Sequence, residues 1–370
     1  MGRDTFTRAA YAETRASHAS ERTVTDRAER QFKKTKTLNP LVDPKGYGVI
    51  RRSLPRFEEF GEQWRMTVGT PMPVEVRFDT TGSMGRNVQV AFDVLPDLYD
   101  LLKDVVLARY DVQVAMGTFG DVVDDIVLMR SQFEMNEKIA EQLTYMFPEH
   151  GGGDGPEDPH YGLFGAAYLT TPYINRIGLK GYDFTISDAT MHDRLDEATL
   201  VRVFGDEVFE KVAENGHQID QTNLPSLEKM AADLLTRTHA FFLQVDDSHS
   251  VSKQWSRVMG ADRVVVLPRT ELIPQVISAI IGLTEGVLDL QSIAEFLQSN
   301  NVSESDAKRI SRSVASIPIG AQAALPNFHE VPEVGAVFNT KTDSWPVTYA
   351  DDVVTTDKST SDTAETGGWL

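Results

Sequence analysis

From about residue 70 the chain alternates between short apolar runs and longer segments carrying an apolar stripe. Val74-Glu75-Val76-Arg77-Phe78 reads as a buried strand that ends at Asp79. Residues 88–108 read as a helix, because Val90, Val94, Leu98, Leu101, Leu102 and Val105 fall on one face. Residues 111–119 and 122–129 are apolar runs joined by Gly120-Asp121, which predicts a hairpin and an antiparallel edge. A helix is predicted over 134–146, and Pro156 suits the first turn of another that runs to Tyr168. Strands over 182–187, 239–245 and 262–267 then alternate with helices over 224–236, 250–259 and 270–286. A charged, partly helical excursion over 193–220 interrupts them. The pattern predicts an α/β fold: Rossmann-like, doubly wound, with a mostly parallel six-stranded sheet and one antiparallel edge strand.

The flanks read differently. Residues 1–65 form a polar, partly helical N-terminal arm, with Arg22, Arg27, Arg30, Lys33, Lys34 and Lys36 giving a local basic excess. Phe57, Phe60 and Trp64 are expected to pack on the main domain, which spans 70–288. Residues 289–317 read as a helical extension, with a capping pattern at Ser303 and Asp306. Residues 318–370 read as an irregular, disordered acidic tail, rich in Thr, Ser and Asp near its end.

Charge narrows the partners. The 36 basic and 55 acidic residues give a net charge of −19. Nucleic acid and anionic membrane both demand clustered positive charge, so neither is expected. No cysteine is present, which excludes disulfides, thiolate zinc sites and cysteine nucleophiles. No run approaches the roughly 20 apolar residues of a membrane span. The first residues lack the apolar core of a signal peptide, and the expectation is a cytoplasmic protein.

The candidate chemistry lies at the end of the first strand. In Asp79-Thr80-Thr81-Gly82-Ser83-Met84-Gly85, an aspartate is followed by hydroxyl residues at alternate positions. A loop at the carboxyl end of a parallel strand is where open α/β sheets bind ligands. Asp79, Thr81 and Ser83 are expected to point into that crevice. A carboxylate and two hydroxyls are hard oxygen donors suited to Mg²⁺.

This stretch resembles the first motif of the von Willebrand factor A domain, the Asp-x-Ser/Thr-x-Ser of a metal-ion-dependent adhesion site. Two further loops extend the resemblance. Gly151-Gly152-Gly153-Asp154-Gly155-Pro156-Glu157-Asp158 resembles the second motif as some intracellular branches carry it, with Asp154 where adhesion-type members have a threonine. Helix capping by Asp154 and Glu157 explains the same residues without a metal. Asp188, which ends the strand 182–187, stands where the family has its third motif. The resemblance implies a cation, Mg²⁺ or Mn²⁺, held by Asp79, Thr81, Ser83, Asp154 and Asp188. It also implies an open coordination position for a carboxylate from a partner protein, hence a binding or scaffold module rather than an enzyme.

A second resemblance competes. A strand ending in Asp-x-Thr-Gly is similar to the nucleophile loop of haloacid-dehalogenase-type phosphohydrolases, with Asp79 attacking phosphate and Asp188 on Mg²⁺. Those enzymes usually carry a second acid two residues after the nucleophile, where this chain has Thr81. They also need a downstream lysine, and no convincing candidate follows a strand here.

Overall fold

The computed structural model describes residues 13, 26–46, 48–124, 126–135, 138–148, 151, 155–338 and 354–355. Six strands form the central sheet: β4 (Pro71–Asp79), β5 (Asp111–Phe119), β6 (Leu128–Arg130), β8 (Gly181–Ser187), β9 (Thr238–Gln244) and β10 (Val264–Val266). Their order is β10-β9-β8-β4-β5-β6, and every pairing is parallel except β5 with β6. The architecture is therefore Rossmann-like α/β with one antiparallel edge, as the alternation predicts. The edge hairpin has a longer connection than expected: β6 covers only 128–130, and most of 120–127 is loop.

Strand β4 is central and buried along its whole length. On one face Val74, Val76 and Phe78 join Tyr182, Phe184 and Ile186 under α2 (Arg86–Leu101) and α9 (Ile273–Glu285). On the other face lie α4 (Pro159–Tyr168), α7 (Leu227–Arg237) and α8 (His249–Met259), with Phe164, Met230, Trp255 and Phe242 in their core. Trp255 stacks on Phe242, ring centroids 3.9 Å apart.

The second face also buries charge. Glu75, Arg77 and Asp183 alternate with the apolar residues of β4 and β8, and Arg130 reaches over from β6. The Arg130 guanidinium donates to both Glu75 oxygens at 2.7 Å. Arg77 forms a two-pronged pair with Asp183, with one contact at 2.7 Å. These long side chains need room under α4, and Gly162 and Gly165 supply it. A Cβ at Gly162 would lie 2.7 Å from Arg77 Cδ, and one at Gly165 3.2 Å from Arg130 Nη1.

Several stretches differ from the sequence pattern. The arm expected over 1–65 contains α1 (Asp26–Thr35) but also three strands, β1 (Arg51–Ser53), β2 (Arg56–Phe60) and β3 (Gln63–Met66). Polarity hid them. In β1 the buried Arg51 is satisfied by the carbonyls of Asp43, Gly46, Arg130 and Ser131. β1 pairs with β7 (Thr170–Pro172), and β2 with β3. Phe57 is buried in a small separate cluster with Met66, Trp64 and Phe338, while Phe60 is 48 % exposed. The expectation that all three aromatics pack on the main core is thus corrected. The helix of 134–146 shrinks to α3 (Lys138–Leu143), because Glu134 pairs with Val114 at the sheet edge. The helix assigned to Pro156 starts at Pro159 instead.

After α9 come α10 (Ile293–Ser299) and α11 (Glu304–Ser313), the latter capped by the Ser303 hydroxyl on the Asp306 amide. Over 318–338 the chain is mostly turns, with Gln322 and Phe328 buried. Buried Gln322 donates to the Lys180 carbonyl at 2.8 Å and meets His239 Nε2 at 3.0 Å. The expected disorder of the last residues falls largely outside the described residues.

Candidate functional site

The carboxyl ends of β4, β5, β8 and β9 turn into loops that meet above the sheet. The first loop begins at Asp79, which is 0 % exposed. Its Oδ1 accepts the Thr81 amide at 2.9 Å and the Thr81 hydroxyl at 2.6 Å. Its Oδ2 accepts the Ser187 hydroxyl at 2.6 Å. The Ser83 hydroxyl donates to Asp188 Oδ1 at 2.9 Å and lies 3.3 Å from the Thr81 hydroxyl. A chain of hydroxyls thus links the two carboxylates across neighbouring strands. Each hydroxyl has one proton and two lone pairs. With both protons turned toward carboxylates, the lone pairs of Thr81 and Ser83 are left as acceptors.

Each loop fastens the next. The Gly82 amide donates to the Gly151 carbonyl at 2.6 Å, tying the first loop to the second. A Cβ at Gly151 would fall 2.1 Å from the Asp124 carboxylate, which would have to move aside. Glu157 bridges the second loop to the third: its amide donates to the Thr190 carbonyl at 2.8 Å, and its carbonyl accepts the His192 amide at 3.2 Å. Asp158 accepts the Val122 amide at 2.6 Å and meets His192 Nδ1 at 3.0 Å. From below, Gln254 grips both the amide and the carbonyl of Met191 at 2.7 Å, and Trp255 donates to the Ala189 carbonyl at 3.2 Å.

The loops surround an open cleft of about 470 Å³, lined in part by Ser83, Glu157, Asp188, Thr190, Ser248 and Ser250. Ser83 is exposed and Asp188 half-buried. Asp79 and Thr81 lie beneath the floor rather than in the crevice, which corrects the expectation that all three first-loop residues face it. Asp154 lies outside the described residues. Glu157 takes a place at the cleft that the sequence assigned to capping: it is 4 % exposed, and among the described residues its Oε2 has no hydrogen-bond partner. Ser187, which holds Asp79, was likewise read only as the end of a strand.

Burial governs the electrostatics. It pushes Asp79 up to about 6, against the hydrogen bonds from Ser187 and Thr81 that favour the charged form. Glu157 is pushed up to about 8, by burial first and then by the Asp79 charge. Asp188 is also raised by burial, opposed by the Ser83 hydroxyl. The three carboxylates at the site are thus held in an environment that lacks compensating positive charge.

The donors present fit a hard divalent cation: carboxylates, hydroxyl lone pairs and one buried carboxylate oxygen without a donor. Among the described residues, no group of three or more His, Cys, Asp or Glu is clustered so as to hold a metal. Any such site therefore depends on Thr81 and Ser83. The phosphohydrolase arrangement fits less well, because Asp79 is sealed from the cleft and both its oxygens are occupied by donors.

No family model matches the chain, and no curated protein matches it. Among solved structures, the pilus adhesin SpaC from Lactobacillus rhamnosus GG is similar over 60 % of this chain and 32 % of its own, with 12 % identity and a TM-score of 0.38. Proximal thread matrix protein 1 from the mussel byssus, with a zinc-occupied MIDAS motif, is similar over 59 % of this chain and 46 % of its own, with 14 % identity and a TM-score of 0.36. The chain spans about a third to a half of these neighbours' lengths. Likeness at this level transfers no function between chains. Among the described residues, no helix is long and apolar enough to cross a membrane.

Proposed function

We propose that this chain is a metal-dependent protein-binding module of von Willebrand factor A type. Thr81 and Ser83 would hold a Mg²⁺ or Mn²⁺ ion directly, with Asp79 and Asp188 acting through bound water. The ion would supply a Lewis-acidic position that accepts an Asp or Glu carboxylate from a partner protein. The observation that carries this reading is the hydroxyl chain Ser187–Asp79–Thr81–Ser83–Asp188, which turns the hydroxyl protons to carboxylates and leaves the Ser83 lone pairs at the cleft and those of Thr81 beneath its floor. Neutral hydroxyl ligands leave the ion's charge available to an anion, whereas direct carboxylates would quench it. The role assigned to Asp154 by resemblance stays part of the proposal.

The test is retention of an acidic partner protein on the immobilised chain in Mg²⁺, in EDTA, and with Mg²⁺ restored. Binding is expected to vanish with chelator, to return with the ion, and to be lost in Thr81→Ala. A partner held with unchanged affinity by the folded, metal-free protein would remove the capture reading.

A further inference from the structure

We propose that Glu157 is an internal ligand of the cation site, occupying the position that a partner's carboxylate must take and so holding the site closed to weak acidic ligands. This inference rests on the cation-site reading above and adds a regulation to it.

Glu157 differs from the other buried carboxylates of the fold. Glu75 is paired with Arg130, Asp183 with Arg77, and Glu285 accepts the hydroxyls of Tyr182 and Tyr110. Asp79 accepts three donors. Glu157 is also largely removed from solvent, at 4 % exposed, yet among the described residues its Oε2 has no hydrogen-bond partner. A buried carboxylate oxygen without a donor is expensive, and native structures keep one when an ion or a function accounts for it. The groups acting most strongly on Glu157 are the carboxylates of Asp79, Asp121 and Asp158 and the Thr81 hydroxyl. The first three repel it, so a cation in the cleft is the partner the position calls for.

The placement is also fixed. Hydrogen bonds on both sides of its backbone lock Glu157 to Thr190 and His192, and the Asp158 amide donates to the Gly120 carbonyl at 3.2 Å. The side chain shares the cleft with Ser83 and Asp188. Its geometry is thus set by the strand-end loops and does not await a partner. The charge balance follows. Asp79, Asp188 and Glu157 carry three negative charges against two on the ion. The ion is held more tightly, and an incoming carboxylate meets a net negative site until it displaces Glu157.

Two effects of opposite sign test this. Mn²⁺ is titrated calorimetrically into wild type, Glu157→Gln and Glu157→Asp, and acetate is then titrated into each Mn²⁺-loaded protein. Glu157→Gln is expected to weaken Mn²⁺ binding at least tenfold and to tighten acetate binding several-fold. Glu157→Asp keeps the charge on a shorter arm and falls between the two. Thermal unfolding in EDTA confirms that each variant is folded, and Glu157→Asp carries the comparison alone if Glu157→Gln does not fold. Mn²⁺ affinity that is unchanged by both substitutions, or acetate binding that is no tighter, overturns the inference while leaving the cation site standing. Wild-type protein that binds no Mn²⁺ overturns both.

Discussion

Asp79 combines two properties: full burial and, among the described residues, no arginine or lysine that neutralises its carboxylate. Three hydrogen bonds offset part of that cost. Asp79→Asn removes the charge and keeps the shape, and the Ser187 hydroxyl can turn to accept the new amide. In EDTA the variant is expected to melt within about 1 kcal/mol of wild type in stability, on the stable side because burial and the Asp188 carboxylate no longer penalise a charge there. Its melting temperature is expected not to respond to Mg²⁺, and scanning calorimetry with and without the ion checks both statements. Asp79, Thr81 and Ser83 stand out in the sequence because they end or follow a strand, and Asp188 stands out through the resemblance. Glu157 does not, because a Gly- and Pro-rich turn ahead of a helix is equally well explained by capping. Ser187 does not either. Its role comes from the register of β4 against β8, which sets Phe78 opposite Ile186 and so brings the next residues side by side.

At the scale of elements, β4 shows what a strand buried on both faces conceals. Glu75 and Arg77 lie inside an apolar run, and the run reads as a strand with or without them. Their partners Arg130 and Asp183 come from β6 and β8, so no single strand reveals that the charges cancel. The same network explains Gly162 and Gly165 in α4, where a helix-former would have been the local choice. Removing Arg130 takes its two-pronged partner from buried Glu75 and leaves it only the Arg77 contact at 3.1 Å. Arg130→Met is therefore expected to cost about 3–5 kcal/mol in denaturant unfolding. Adding Glu75→Gln in the same chain is expected to recover much of that loss, because the stranded carboxylate is gone. A single variant as stable as wild type would mean that the pair contributes nothing. The short strands β1 and β7 were missed for a related reason: they pair across a long stretch of chain, and Arg51 carries its charge among backbone carbonyls, whereas β2 and β3 form a local hairpin hidden by its charged residues.

For the whole molecule, the acidic balance and the buried carboxylates act together on pH. Burial raises Glu157 to about 8 and Glu285, held by Tyr182 and Tyr110, to about 7, from an ordinary value of 4.5. The folded protein binds these protons more tightly than the unfolded chain, so stability falls as pH rises from about 4.5 toward the folded values. Without metal, stability is expected to rise on acidification from pH 8 to 6.5, by roughly 1–2 kcal/mol at about 1.4 kcal/mol per pKa unit. Below pH 6.5 two buried histidines oppose this. Burial holds His160 down at about 3 and His239 at about 4, so the unfolded chain takes up their protons first and stability is lost. Melting curves in EDTA across pH 5 to 8 are expected to rise from pH 8 to about 6.5 and to flatten below it, where Glu157, Glu285 and Asp79 still gain what the histidines lose, and a steady rise toward pH 8 would contradict the burial of these carboxylates. The alternation of strands and helices made the sheet legible at this scale. The packing of 318–338 beneath it was not, because it depends on Gln322 reaching Lys180 and His239 rather than on any periodic pattern. The cation site remains the central claim, and calorimetric titration of metal-free protein with Mg²⁺ and with Mn²⁺ tests it most directly. One saturable site per chain, lost in Thr81→Ala, is the predicted result, and the absence of binding at millimolar concentrations of both ions would contradict it.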